Sequence, residues 1–330
     1  MENAPLDVIT EGEKAIQEGS KALTKFQEIV HDLFKGHFMR KQTDANFYKY
    51  EKQANFIRDN QDLNIMFKGD EIYMLGKPPE ALAIRANERM LMEAIRQENN
   101  VEDVLDLTKN EFKSEENVSD EPVDEDWLCR FFGIAKDVNS YEMKFIWAKI
   151  LAGEIKQPGS FSMRTLETLK NISQKEAETF QKILPFVIMA SDDNMFVLPS
   201  KEWNEGNYSY SDVMLLDECG LISSTPFIHH RLDLENNETR MLFNKKKTLI
   251  IKSASEKEEK ISIEIYTLTK TGTELYNILS FEPDDQYLEN LAKYIFDKHK
   301  NKIEVYVYKT DWYNSEAVSY DDKTVFAEYK

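Results

Sequence analysis

An acidic stretch in the first half of the chain limits most strongly what this sequence can fold into. Residues 114–126 read SEENVSDEPVDED, with seven acidic residues, no basic residue and one proline. Mutual repulsion of the carboxylates, together with the proline, predicts an acidic linker between separately folded parts. The chain has 330 residues, and because domains of about 100 to 200 residues are typical, two or three compact units are expected.

The linker divides the chain into predicted parts. We expect a helical N-terminal domain over 1–113, the acidic linker over 114–126, a helical and winged-helix-like domain over 127–280, and a C-terminal helix and strand extension over 281–330. The predicted fold class is therefore α+β and helix-rich.

The first 34 residues carry a weak heptad pattern. Residues 6–34 predict a heptad-like helix because Ile9, Ile16, Leu23 and Val30 lie seven positions apart. Three arrangements stay open for it. The pattern favours a helical hairpin with residues 42–60, and the alternatives are an oligomerising coiled coil and a helix on a membrane surface.

Two further elements are expected before the linker. Residues 63–76 predict two short strands, with a loop as the alternative. Residues 78–112 predict a long helix that a pair of prolines opens. The helical spacing predicts an apolar stripe along this helix. Its residues are Leu82, Met90, Leu91, Ala94 and Ile95, and it resumes at Val101, Val104 and Leu105.

The charge balance restricts the partners of this protein. The chain carries 42 basic and 60 acidic residues, a net charge of −18. Such an excess repels phosphate backbones and anionic lipids, so nucleic acid is disfavoured as a partner and no membrane partner is expected. The N-terminal residues do not resemble a signal peptide, and the longest apolar run has eight residues, too few to cross a bilayer. The two cysteines fit a reducing compartment, so a cytoplasmic protein is predicted.

Beyond the linker, the order of elements is typical of a winged-helix module. Helices are predicted over 163–170, 174–189 and 211–219, followed by a pair of strands and a last helix near Leu275. The second helix has the clearest start, because Ser173 and Glu176 form a capping box. We therefore expect a winged-helix-like fold in this part of the chain.

The charges of this module disfavour sequence-specific DNA binding. The helix that would enter a major groove carries Asp212, Asp217 and Glu218 and no basic residue. Positive charge is concentrated instead in the predicted wing, at Arg240, Lys245, Lys246, Lys247 and Lys252. These are the candidate nucleic-acid contacts, although lysines on an exposed hairpin commonly serve solubility and edge protection. A protein-binding winged helix is the favoured interpretation.

Motifs of catalysis and metal binding are absent from the sequence. The five histidines have no zinc-ligand spacing, and no phosphate-binding loop or nucleophile elbow is present. We therefore predict no catalytic residues, no metal and no cofactor. The one enzyme-like pattern is Glu154 and Lys156 with Asp137, which resembles a metal-dependent nuclease site, but such carboxylates are expected on neighbouring strands rather than at the end of a helix.

Residues 126–180 carry a distinctive signature. It begins with DWLCRFF, continues with the helix WAKILAGEI and ends with the turn and helix PGSFSMRTLETLKNIS. This signature resembles a prokaryotic and phage-associated family known as domain of unknown function 2806, and the resemblance extends over about residues 80–280. The resemblance implies a bacterial cytoplasmic protein encoded among mobile genes associated with host defence. It does not imply any activity.

The signature admits a structural and a functional interpretation. Packing explains most of it, because Trp147 fits a buried helix face and the Gly153 to Gly159 segment reverses the chain. The alternative is a partner or ligand site. Its polar candidates are Arg130, Lys149, Glu154 and Arg164.

The sequence as a whole favours a non-enzymatic regulatory, sensor or adaptor protein. It would act through a protein partner or self-association, in a phage-defence or mobile-element context. A metal-dependent nuclease or toxin-like effector is the alternative function, from another class of protein. A winged-helix regulator that binds nucleic acid is the third functional hypothesis.

Overall fold

The computed structural model describes most of the chain. The described residues are 21–34, 65–68, 71–74, 80–112, 118–190, 194–199, 207–225, 229–234, 238–254, 258–300, 302–313 and 318–330. They divide into two compact units, Met1–Leu166 and Glu167–Lys330. Among the described helices, none is both long and apolar enough to cross a membrane.

The first unit contains helices and one β-hairpin. Its elements are α1 (Lys21–Phe34), β1 (Ile65–Lys68), β2 (Glu71–Met74), α2 (Glu80–Lys109), α3 (Glu125–Ala135), α4 (Tyr141–Lys156) and the first part of α5 (Met163–Asn171). The two strands predicted over 63–76 are confirmed, since β1 and β2 pair antiparallel. The start of the heptad-like helix and its partner segment 42–60 lie outside the described residues, so those alternatives stay predictions.

Local caps explain where two helices of this unit begin. Asp124 accepts a hydrogen bond from the Trp127 amide at the start of α3, and Ser140 accepts one from the Met143 amide at the start of α4. These side chains satisfy amides that have no partner within the helix.

Helices α2 and α4 run side by side in the same direction. The Lys144 ammonium group lies 2.6 Å from the Asp103 carboxylate, and the Thr108 hydroxyl lies 3.4 Å from the Ala148 carbonyl oxygen. Within the same unit, the ring of Phe131 on α3 lies 5.2 Å from that of Trp127 and 5.2 Å from that of Trp147 on α4. This aromatic group forms part of the buried core of the unit.

The acidic stretch is partly described. The Ser119 amide donates to the Lys156 carbonyl oxygen at 2.9 Å, and Val118 and Val123 are buried. Residues 113–117 lie outside the described part of the chain. The four-part division of the chain stays a prediction.

The second unit is built on one antiparallel sheet of eight strands. Its helices are the rest of α5, α6 (Gln174–Ile183), α7 (Tyr210–Glu218), α8 (Lys270–Ile278) and α9 (Tyr287–Lys298). Its strands are β3 (Ile188–Ala190), β4 (Met195–Val197), β5 (Ile222–Ser223), β6 (His229–Leu234), β7 (Thr239–Phe243), β8 (Lys247–Ser253), β9 (Glu259–Glu264), β10 (Tyr266–Leu268), β11 (Ile303–Tyr313) and β12 (Val318–Tyr329). The large sheet has the order β12-β11-β8-β7-β3-β4-β10-β5, and β6 pairs separately with β9.

The predicted winged-helix fold is wrong, because the C-terminal region is rich in strands. The predicted helix 174–189 ends at Ile183, and Leu184–Phe186 forms a short 3-10 turn that contains Pro185. The apolar residues that follow become β3, which pairs with β4 and β7 inside the sheet. A short apolar run fits a buried helix or a buried strand equally well, and here proline ends the helix.

The predicted wing is also part of the sheet. Strands β7 and β8 pair with each other, and β8 pairs on its other side with β11 over Ile303–Lys309. Residues expected to form a C-terminal extension thus supply β11 and β12 of the same sheet. Helix α9 buries Leu288, Leu291 and Ile295. Together with β11 and β12, it makes the C-terminal part of the chain a mixture of helix and strand rather than a mainly helical domain.

Candidate functional site

Glu154, a predicted binding residue, is the centre of a structural turn. Its side chain is 2% exposed. One carboxylate oxygen accepts from the Gly159 amide at 2.6 Å, and the other accepts from the Phe161 amide at 2.9 Å. Gly159 has a φ of +85°, a conformation that favours glycine. The two hydrogen bonds hold the Pro-Gly-Ser-Phe turn in this conformation, and they also satisfy the buried carboxylate.

Two further signature residues hold the same turn. The indole nitrogen of Trp127 donates to the Phe161 carbonyl oxygen at 2.8 Å. A Cβ atom added at Gly153 would lie 2.6 Å from the Phe161 ring, so glycine permits the close approach of ring and helix. These contacts support the packing interpretation of the signature.

The other predicted binding residues lie nearer the surface. Arg130 on α3 and Arg164 on α5 are exposed, and Lys149 on α4 is half-buried. The Lys149 ammonium group lies 4.8 Å from the centre of the Phe145 ring. Glu154 differs from these three because both of its oxygens are engaged by backbone amides within its own turn. The assignment of the four residues to a binding site stays a prediction.

The three residues of the nuclease alternative take different partners. Asp137 accepts from the side chains of Arg96 and Gln97, Glu154 holds the signature turn, and the Lys156 ammonium group donates to the Glu111 carbonyl oxygen at 2.9 Å. Within the described part of the chain, no cluster of three or more histidine, cysteine or acidic side chains is arranged to hold a metal ion. This geometry gives the nuclease alternative no support.

Two of the candidate nucleic-acid contacts are neutralised by acidic residues around the start of α9. The Lys246 ammonium group lies 3.0 Å from Glu282 and 3.2 Å from Asp285. Lys247 is buried and lies 2.5 Å from Glu289. The positive charge of this turn is thus balanced within the second unit.

The remaining three candidates also have partners. The ammonium group of Lys245 lies 4.0 Å from the centre of the Phe281 ring, and Arg240 forms an ion pair of 2.8 Å with Glu238. Lys252 is exposed, with its ammonium group 5.4 Å from the centre of the Tyr306 ring. Their contact with nucleic acid stays a prediction, but they do not form the projecting basic wing that was expected.

An exposed surface that the sequence did not reveal lies on α2 and α4. It consists of Met92, Ile95, Glu98, Glu102 and Asp106 on α2 and of Tyr141 and Phe145 on α4, and we call it the α2–α4 face. The four large apolar side chains are 67%, 48%, 68% and 39% exposed for Met92, Ile95, Tyr141 and Phe145. The Lys144–Asp103 contact joins α4 to α2, and Tyr141 and Phe145 are exposed residues of the same helix α4.

Within the apolar stripe predicted for α2, Val104 and Leu105 are buried, but Ala94 and Ile95 are exposed. The α2 residues of the face repeat at intervals of three and four, which places them on one side of the helix. That spacing was visible in the sequence. Its exposure was not, because Ile95 fits an inward stripe just as well by spacing alone.

Comparison with known proteins places this signature and α2 in one family. The model of the family described as "Protein of unknown function (DUF2806)" matches residues 84–292. The chain belongs to this family. The suggested resemblance is confirmed, and the DUF2806 match contains the signature turn and most of α2. No curated protein and no solved structure matches the chain.

Proposed function

We propose that this DUF2806 protein is a non-enzymatic regulatory, sensor or adaptor component of the bacterial cytoplasm that acts by binding another protein. The observation that carries the proposal is the α2–α4 face. Soluble proteins rarely leave several large apolar side chains exposed close together, and such groups are typical of interaction surfaces. Tyrosine, methionine and phenylalanine are also enriched in the cores of interfaces.

The polar residues of the chain support the same proposal. Three side chains considered for chemistry or for nucleic-acid binding are held by other groups of the protein, namely Glu154, Lys246 and Lys247. The α2–α4 face, in contrast, presents apolar groups beside carboxylates. Its composition suits recognition of a protein better than chemistry on a substrate.

Site-specific photo-crosslinking in the native host tests the proposal. A photoreactive phenylalanine analogue placed at Ile95 should form a crosslink to one defined protein, which mass spectrometry then identifies. The same analogue at Glu218, an exposed residue at the end of α7, is the control. We expect the crosslink at position 95 and not at position 218.

The identified protein is then purified and its affinity measured. The double substitution Met92→Ser and Ile95→Ser should weaken binding by about 2 kcal/mol or more, because it removes exposed apolar area that the complex would bury. Unchanged affinity, or the absence of a crosslink specific to position 95, would contradict the proposed function.

A further inference from the structure

Resting on the proposed function, we infer that the α2–α4 face binds a basic amphipathic helix, a segment rich in lysine and arginine with a few apolar anchors. The inference comes from the order of side chains along α2. Met92 and Ile95 lie toward the N-terminal side, and Glu98, Glu102 and Asp106 follow toward the C-terminal end. At 1.5 Å per residue, the distance from Met92 to Asp106 is about 21 Å, which a partner helix of about 14 to 18 residues would cover.

The carboxylates of this face lack cationic partners. Two other acids of α2 are paired, since Asp103 contacts Lys144 and Glu93 contacts Arg96. In contrast, Glu98, Glu102 and Asp106 form no ion pair with any described residue. Their negative charge is therefore available to a partner.

The position of one of these acids makes a cationic partner more favourable. Asp106 lies in the last turn of α2, where the helix dipole already places partial negative charge. Acidic side chains are unfavourable there in the free protein. Lysine or arginine from a docked segment would relieve both the mutual repulsion and the interaction with the dipole.

The aromatic residues of α4 extend the complementarity. The Phe145 ring already has the Lys149 ammonium group 4.8 Å from its centre, and Tyr141 beside it is 68% exposed. An arginine of the partner can stack on an exposed ring of this kind, and apolar residues of the partner can pack on Met92 and Ile95. Helix-in-groove recognition uses this combination of anchors and charges.

Fluorescence anisotropy with the full-length protein tests the inference. The probe is a labelled 18-residue amphipathic peptide of leucine, lysine and arginine. Two comparison peptides carry glutamate in place of the basic residues or serine in place of leucine. We expect the first peptide to bind at physiological salt and each comparison peptide to bind about tenfold more weakly or not at all.

Matched variants of the protein locate the binding. Glu102→Lys with Asp106→Lys should weaken peptide binding by about tenfold and reduce its dependence on salt. Glu218→Lys with Asp297→Lys changes the net charge equally at exposed positions of the second unit and should change affinity less than about twofold. The neutral pair Glu102→Gln and Asp106→Asn, compared with Glu218→Gln and Asp297→Asn, repeats the test if charge reversal perturbs α2.

Each outcome bears on the inference. Equal weakening by the two pairs would mean that the peptide senses only the overall charge, and this result would overturn the inference, as would the absence of peptide binding. A second outcome is that the protein crosslinked at position 95 loses affinity when the α2–α4 face is substituted while the basic peptide does not bind. In that case the proposed function stands, and the inferred basic helix is the wrong partner. If the peptide binds at the face but no protein is crosslinked there, the proposed function fails instead.

Discussion

The carboxylate of Glu154 is buried and accepts hydrogen bonds from two backbone amides of the signature turn. Glu154→Gln replaces one accepting oxygen by an amide group that can only donate, so one of the two amides loses its partner. Hydrogen bonds to charged groups contribute about 1.5 to 3 kcal/mol, so we expect the free energy of unfolding to fall by about that amount. Urea denaturation measures the change.

Glu142→Gln provides the control, because Glu142 is exposed in the same helix. It should leave the unfolding midpoint almost unchanged. A midpoint for Glu154→Gln equal to that of the wild type would show that the turn does not depend on the carboxylate.

The two tryptophans of the first unit differ in one hydrogen bond. The Trp127 indole nitrogen donates to the Phe161 carbonyl oxygen, whereas the buried indole nitrogen of Trp147 has no hydrogen-bond partner among the described residues. Trp127→Phe should therefore destabilise the protein by about 1 to 2 kcal/mol more than Trp147→Phe, since only the first leaves a buried carbonyl without its donor. Chemical denaturation of both variants checks the difference, and the reverse order would refute it.

At the scale of elements, α3 and α4 each contain a glycine in a different environment. An added Cβ atom at Gly133 meets nothing within 4 Å, while at Gly153 it lies 2.6 Å from the Phe161 ring. Gly133→Ala should raise the free energy of unfolding by about 0.5 to 1 kcal/mol through helix propensity. Gly153→Ala should lower it by about 1 to 3 kcal/mol through overpacking. If Gly133→Ala and Gly153→Ala changed the free energy of unfolding equally, this account of the two glycine environments would be wrong.

A charged contact connects β9 with the end of α9. Burial raises the pKa of Glu259, but hydrogen bonds from His299 and Lys302 outweigh it and hold the pKa below its usual value of 4.5. The folded state thus favours the ionised carboxylate. This contact stabilises the protein above about pH 4.5, and its contribution is lost as the pH falls through the lower pKa of the folded state.

Thermal unfolding between pH 7 and pH 3 tests this linkage. Glu259→Gln should be less stable than the wild type at pH 7, and the difference between the two should shrink toward pH 3. Glu218→Gln, at an exposed site on α7, should follow the wild-type profile. A difference for Glu259→Gln that is constant across this range would argue against the ionised contact.

For the whole molecule, the net charge of −18 and the ion pairs of Lys246 and Lys247 with acidic residues act in the same direction. The protein should bind DNA and RNA only weakly at physiological salt, because its acidic excess repels phosphate and these two lysines are already neutralised. Anisotropy with labelled single- and double-stranded oligonucleotides at several salt concentrations measures this. Submicromolar affinity with a steep salt dependence would contradict the prediction.

Much of the first unit could be predicted because its signals are local. The capping box of Ser173 and Glu176, which begins α6 at the start of the second unit, also formed as expected. The turn at Gly159 and the β1–β2 hairpin followed from residues a few positions apart. Such signals depend on backbone amides and dihedral angles within one turn, and they are therefore readable without the rest of the protein.

The sequence by itself determined the family, the capping box of Ser173 and Glu176, the signature turn and the overall acidity. Only the tertiary structure decided that Ile188–Ala190 is an interior strand, that Lys246 and Lys247 meet acids around the start of α9, and that Ile95 faces solvent. The physical reason is distance along the chain. Whether an apolar run pairs as a strand, a charge is neutralised or a helix face is buried depends on partners tens of residues away, which no local pattern specifies.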